Sequence, residues 1–311
     1  VLKPGLGAFS HVTLGVASLD EATAFWVNHF GLEVEQQQRG ADAALARIWQ
    51  LPATAIAAQA VLATPGAKAG RLHIVEFSAP GTPVREGAEA YDLLPKNLDV
   101  YAPDLPQRYD ELKAAGIEFR GPWIGMPGPD GLSFREAHLP GHDEINVVLL
   151  EVIGPGYATP LTRQGFAAMG PLITIVPDAE RETAFYRDLL GMDTTLEILL
   201  KGEQIEKMIG LPPGAGLDLR IFGDAADPMG RIELIEYQQV KGKNLYPRAR
   251  PPARGILHAG YQIADLDPLR QRLGDAGVSF EEHGAHRTLL GSGALISFHS
   301  PAGFRLEVQE R

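Results

Sequence analysis

Apolar and polar positions alternate from the start of the chain. Residues 9–16, Phe-Ser-His-Val-Thr-Leu-Gly-Val, read as a half-buried strand. Ser18 and Asp20 then offer N-cap chemistry for a helix over about 20–30, which Gly31 ends. Gly-Leu-Glu-Val at 31–34 opens another strand, with further β segments expected near 44–50 and 71–77. The Ala-rich stretch 53–69 reads as a loop over a cleft. A second unit begins alike, with a strand at 97–102, a helix at about 105–115, a stop at Gly116 and a strand at 117–120. Strands near 133–139 and 145–152 complete it. Later come helices near 179–189 and 266–275, among strands near 171–176, 231–237, 258–263, 294–299 and 304–309. The unit is β-α-β-β-β, four times over.

The two halves of the chain repeat one another. At a shift of 160, Phe25-Trp26 falls on Phe185-Tyr186, Gly31-Leu32 on Gly191-Met192, Leu51-Pro52 on Leu211-Pro212, and Glu76 on Glu236. At a shift of 161, Ala115-Gly116-Ile117 falls on Ala276-Gly277-Val278, Pro140 on Pro301, and Asn146 on Glu307. Places where the halves differ in chemistry, such as His11 against Pro171, are therefore where a site is to be sought. The Pro/Gly/Thr-rich stretch after Gly154 predicts a first domain over 1–154, with modules at about 8–80 and 95–153. A linker over 155–170 and a second domain over 171–311 follow, the latter with modules at about 171–240 and 255–311. Short sheets with one apolar face gain most by pairing into a curved sheet around a cleft. The expected class is α+β, a tandem repeat of two domains, each of two modules forming curved mixed sheets.

Composition narrows the function. The 28 basic against 39 acidic residues give a net charge of −11, which argues against a nucleic-acid partner or an acidic membrane surface. Zero cysteines exclude disulfides, thiolate ligands and a thiol nucleophile, and fit a reducing cytoplasm. No apolar run approaches the ~20 residues that span a bilayer, and no signal-peptide pattern opens the chain. The chain begins with Val, which leaves room for an initiator Met or a few residues ahead of it. No Gly-rich phosphate loop and no serine-nucleophile elbow is present.

Three segments carry a family resemblance: His11-Val-Thr-Leu-Gly-Val with Ala24-Phe25-Trp26, His258-Ala-Gly-Tyr-Gln-Ile-Ala-Asp-Leu-Asp with Ala276-Gly277, and Phe298-His-Ser-Pro-Ala-Gly-Phe-Arg-Leu-Glu307. With four β-α-β-β-β units they resemble the vicinal oxygen chelate superfamily of glyoxalase I, bleomycin resistance proteins and type I extradiol dioxygenases. The resemblance covers nearly the whole chain and speaks more to fold than to reaction. It implies metal ligands on the first and last strands of each unit. Carried over, these are His11 and His73, Asn97 and Asn146, Pro171 and Glu233, and His258 and Glu307. Pairing the first two units leaves no carboxylate ligand, and pairing the last two loses one position to Pro171. Pairing the outer units gives a complete set, His11, His73, His258 and Glu307, suited to Zn, Ni, Co, Mn or Fe(II). The inner set would hold a transition metal poorly.

Each candidate has an ordinary structural reading. A lone His on an apolar strand is more often a hydrogen-bonded core residue, and only the joint filling of four positions outweighs this for His11. Glu76 and Glu236 stand three residues beyond His73 and Glu233, and strand alternation puts His73 and Glu76 on opposite faces. Glu151 replaces Asn146 only if the strand bulges. His283, His286 and Arg287 follow a strand, where they either edge the cleft as acid-base or anion-binding groups or form a polar turn. Trp49, Tyr237 and Tyr261 are candidates for an aromatic pocket or for core, and Asp265 and Asp267 look like helix N-terminal residues.

The resemblance implies two chemistries, of which the lyase or isomerase is the expected one and the dioxygenase the alternative. With all four donors on the metal, glyoxalase-like or epimerase-like lyase or isomerase chemistry follows, with Glu307, His73 or His286 moving the proton and Trp49, His283 and Arg287 touching substrate. With His73 standing off, His11, His258 and Glu307 leave room for a chelating aromatic and dioxygen, as in Fe(II) ring-cleaving dioxygenases. A non-enzymatic binding or resistance protein is a third reading. The partner in every case is a small molecule, and the chain is expected to be a monomer or homodimer.

Overall fold

The computed structural model describes residues 5–154 and 158–311, so residues 1–4 of the first expected domain and 155–157 of the expected linker lie outside it. The first module runs β1 (His11–Val16), α1 (Leu19–Phe30), β2 (Glu33–Arg39), α2 (Ala43–Ile48), β3 (Ile56–Ala63) and β4 (Arg71–Phe77). The second runs β5 (Pro95–Tyr101), α3 (Leu105–Ala114), β6 (Ile124–Pro127), β7 (Ser133–Pro140) and β8 (Asn146–Ile153). The third comprises β9 (Ala167–Ile175), α4 (Ala179–Thr183, continued by a π-helical turn over Ala184–Leu189), β10 (Asp193–Lys201), α5 (Glu203–Ile209), β11 (Gly216–Gly223) and β12 (Ile232–Gln238). The fourth has β13 (Gly255–Ile263), α6 (Asp267–Asp275), β14 (Phe280–Thr288), β15 (Gly291–His299) and β16 (Arg305–Glu310).

Strand pairing joins the halves crosswise. One eight-stranded sheet, ordered β14-β15-β16-β13-β1-β4-β3-β2, unites the outer modules. The other, β10-β11-β12-β9-β5-β8-β7-β6, unites the inner two. The α+β class and the curved mixed sheets expected from the sequence are what the chain forms.

Each module closes its helix with the same two devices. A left-handed glycine ends or follows the helix, Gly31, Gly116, Gly191 and Gly277, with φ between 68° and 88°. At the other end, a glutamate on the module's last strand accepts the first free helix N–H groups. Glu76 takes Leu19 N–H at 2.7 Å, Glu151 takes Asp104 N–H at 3.0 Å, Glu236 takes Ala179 N–H at 2.8 Å and Glu310 takes Leu266 N–H at 3.4 Å. These four carboxylates are thus helix anchors, which removes Glu76, Glu236 and Glu151 as rivals for the ligand positions.

Several expected elements differ. The segment 44–50 is not a strand: Asp42 caps Leu45 N–H, and Leu45, Ala46, Ile48 and Trp49 bury one helical face. The stretch 53–69 contains β3 instead of a loop, because small alanines pack on both faces of a buried strand whatever their low β-propensity. Residues 117–120 form no strand, and the edge strand comes at β6. His283, His286 and Arg287 lie on β14 rather than beyond a strand.

Candidate active site

Alternation along β1 sends Val12, Leu14 and Val16 into the large core, against Trp26 and Phe30 of α1. The odd positions therefore face the concave side of the outer sheet. Register then fixes the site. His11 lies opposite Gly260 and Thr13 opposite His258 across the antiparallel β1–β13 pair. On the flanks, Thr13 pairs with His73 of β4 and Gly260 with Glu307 of β16. The four expected ligand residues thus form a zigzag, Glu307, His258, His11, His73, with the small Gly260 and Thr13 between them. His73 and Glu307 occupy equivalent places about the approximate two-fold axis. The outer pairing expected from the sequence is the one that brings all four to a single concave face.

All four are buried, between 0% and 6% exposed. Ser10 Oγ holds His11 Nδ1 at 2.7 Å, leaving Nε2 buried without a hydrogen bond. His258 makes no hydrogen bond with either ring nitrogen, and its Nε2 stands 3.5 Å from Glu307 Oε2. The other Glu307 oxygen takes the Trp49 indole N–H at 2.9 Å and Arg305 Nε–H at 3.0 Å. His73 differs. Gln59 gives its amide N–H to Asp42 at 2.9 Å, so its oxygen accepts from His73 Nε2–H, also at 2.9 Å. The remaining lone pair, on Nδ1, is taken by the Thr13 hydroxyl at 3.1 Å.

The charge states suit metal ligation. Burial, with His258 nearby, brings the His11 pKa down to about 3. Burial likewise lowers His258 to about 4, and His73 well below the usual imidazole range. Burial alone would raise Glu307, but His258, Arg305 and the hydrogen bonds from Arg305 and Trp49 outweigh it and hold its pKa at about 2. Because His258 is neutral above pH 4, the standing charge responsible is that of Arg305. At neutral pH the site offers neutral imidazoles and an ionised carboxylate, the forms a divalent cation binds.

Two buried imidazoles with free Nε2 atoms beside a carboxylate fit a transition metal in kind. Among the described residues, no group of three His, Asp or Glu side chains stands ready to hold an ion in its present position. Trp49, which follows α2, packs against two of the imidazoles: its ring lies 5.4 Å from that of His258 and 6.2 Å from that of His73.

The other expected residues divide. His286 is buried and shares a cavity of about 10 Å3 with His11 and Glu307. Its Nδ1–H goes to the Gly284 carbonyl at 3.1 Å, and its Nε2 is buried without a hydrogen-bond partner. His283 bonds Ser297 Oγ at 2.8 Å, and Ser297 is the strand neighbour of Glu307. Arg287 is exposed and alternates away from His286, so the fold does not bring it to the cavity. Tyr261 and Tyr237 are buried. Missed by the sequence reading were Gln59, Thr13 and Ser10, which orient imidazoles, and Arg305. The Thr13 and Ser10 signals were there, as polar residues beside His11 on an apolar strand.

In the inner half-barrel, two of the four ligand positions bond each other, Asn146 donating to Asn97 at 3.0 Å. Asp99, Glu136, His138 and Glu233 instead line a cavity of about 40 Å3 beneath α5. Burial and carboxylate neighbours push the Asp99 and Glu233 carboxyls well up, towards the neutral form.

Solved structures share the fold. Glyoxalase I from Zea mays is 12% identical, covering 97% of this chain and 92% of its own, with a TM-score of 0.63. A candidate dioxygenase from Bacillus subtilis is 13% identical, covering 99% and 86%, also with a TM-score of 0.63. No curated protein matches this sequence. Residues 168–308 match the model of the Glyoxalase/Bleomycin resistance protein/Dioxygenase superfamily. Residues 168–308 therefore carry a domain of this superfamily, the vicinal oxygen chelate proteins, and the chain as a whole has the four-module fold of the solved structures it resembles.

Proposed function

We propose that the outer half-barrel is a divalent-metal active site acting on a small molecule with two neighbouring oxygens, and that its reaction is Fe(II)-dependent ring cleavage of a dihydroxy-aromatic. The observation that carries this is the division among the imidazoles. His11 and His258 present free nitrogens beside Glu307, whereas both nitrogens of His73 are engaged by Gln59 and Thr13. Two His and one carboxylate with open positions is the donor set of non-haem Fe(II) oxygenases. When bound, the ferrous ion supplies the redox chemistry with dioxygen and open positions for the substrate's oxygens.

The residues around the site have separable tasks. Ser10 fixes the His11 tautomer, and Arg305 keeps Glu307 ionised. His286 is the proton acceptor for a substrate hydroxyl, since its Nε2 has no hydrogen-bond partner and the residue lines the same cavity as His11 and Glu307. Trp49 excludes water until substrate displaces it from Glu307.

The glyoxalase-like lyase or isomerase reading needs His73 as a fourth ligand, at the loss of one of its two hydrogen bonds. Oxygen consumption by anaerobically purified, Fe(II)-loaded protein given catechol or hydroquinone separates the two. Uptake of one dioxygen per ring opened supports the dioxygenase. No uptake, with turnover of a hemithioacetal by the Zn-, Ni- or Co-loaded protein, would establish the lyase instead. Residues 1–154 and 171–311 are taken as the two repeat units, and a cytoplasmic location is proposed from the cysteine-free composition.

A further inference from the structure

The cavity between His11, His286 and Glu307 measures only about 10 Å3, too small for any substrate. A pocket of about 670 Å3 shares Ile48 with it and has Trp49 in its wall. This is the size range of small-molecule sites, and the walls have the corresponding character: Trp49, Leu51, Tyr246 and Pro247 are flat or apolar. Its charge is unlike that of the rest of the molecule. The chain carries a net −11, yet among the described residues lining this pocket none is acidic, while Arg250 and Arg305 are both present. His299 also lines it, held towards neutrality by partial burial and by Arg305.

The two arginines are positioned differently. Arg250 is exposed, and its guanidinium makes no ion pair or hydrogen bond among the described residues. Arg305 is mostly buried, 14% exposed in its side chain, and its Nε–H goes to Glu307 while its Nη2 has no hydrogen-bond partner. A buried guanidinium nitrogen left unsatisfied is costly unless a ligand oxygen completes it. Trp49 and Arg305 are the only lining residues of this pocket that touch Glu307 among the described contacts, so the pocket reaches the site through them.

We infer that this pocket receives an aromatic acid, whose carboxylate pairs with Arg250 and Arg305 while its ring displaces Trp49 towards the outer cleft. The substrate class is thereby narrowed from a dihydroxy-aromatic to one bearing a carboxylate. The inference rests on reading the outer cleft as the active site, but binding at the pocket needs no metal and can be measured alone.

The test is calorimetric titration of metal-free protein with 2,3-dihydroxybenzoate and with catechol, its uncharged counterpart. The acid is expected to bind, and catechol to bind more weakly by roughly tenfold or more. Arg250→Gln, an exposed change that leaves the core untouched, is expected to remove most of that difference, as is Arg305→Gln. Equal affinity for acid and catechol, or wild-type affinity for the acid in both variants, would overturn the inference. Oxygen uptake separates it from the functional reading. Selective acid binding without uptake by the iron-loaded protein leaves the pocket standing and the dioxygenase fallen. Uptake with equal efficiency on both compounds does the reverse.

Discussion

His11 and Gly260 face one another across β1 and β13, and the imidazole lies where any other residue would place its Cβ. A Cβ built on Gly260 stands 2.0 Å from His11 Cε1 and 2.2 Å from Nε2. Gly260→Ala should therefore turn the His11 ring away at a cost of about 1–3 kcal/mol, as for overpacking elsewhere. Metal content should fall sharply while circular dichroism stays native. Full metal retention would show that His11 Nε2 is not a ligand.

His258→Ala and His73→Gln should part company. The first removes a free buried nitrogen beside Glu307, and iron should be lost from the purified protein. The second removes a ring whose nitrogens are already engaged, and iron should remain near one per chain. Elemental analysis of both variants decides. Iron lost equally from the two would make His73 a fourth ligand.

How much of this was legible in sequence follows from what each residue depends on. The family resemblance pointed to His11, His258 and Glu307, and the repeat supported it by marking His11 against Pro171 and Asn146 against Glu307 as places where the halves differ. The crosswise pairing was reached from donor chemistry, by finding which pairing left a complete set. Role proved harder to read than place. His73 sits where a ligand is expected, yet its lone pair is claimed by Thr13 and its proton by Gln59, from a strand misread as a loop. The helix α2 was hidden because its apolar residues are short-range neighbours in any conformation, and only the Asp42 cap distinguishes it. Arg305 escaped notice because a charge two residues before a ligand position has no meaning until the fold turns its guanidinium onto the Glu307 carboxylate.

Trp49→Phe keeps most of the apolar contact of the ring but deletes the indole N–H held by a carboxylate. A hydrogen bond to a charged group contributes about 1.5–3 kcal/mol. Chemical denaturation of the metal-free variant should show a loss in that range. An unchanged midpoint would mean that Trp49 is held by packing alone.

The four helix-anchoring glutamates should behave as one class. Glu76→Gln and Glu236→Gln should each lower stability by about 1 kcal/mol, the usual worth of a helix N-terminal acceptor. Both residues serve separate helices in separate sheets, so the double variant should show the sum. Neither change should alter metal content, since both side chains lie at the helix side. Metal loss in Glu76→Gln would return that residue to the ligand set.

Glu182 of α4 gives the chain a pH dependence of its own. It is 1% exposed, its Oε1 takes Ala302 N–H and the Ser300 hydroxyl, and its Oε2 has no partner. Burial raises its pKa from 4.5 to about 7, against the opposing pull of those hydrogen bonds. Below pH 4.5 the group is protonated in folded and unfolded chains alike, and its titration contributes nothing. As pH rises, the unfolded chain ionises first, so stability declines across the interval up to pH 7 and the full penalty holds above it. The size is on the order of 3 kcal/mol at about 1.4 kcal/mol per pKa unit. Glu182→Gln cannot ionise, so its stability relative to wild type should improve by that order between pH 4.5 and pH 8. Denaturant midpoints at the two pH values measure this directly. A wild-type-to-variant difference that does not move with pH would mean that Glu182 ionises freely in the folded chain.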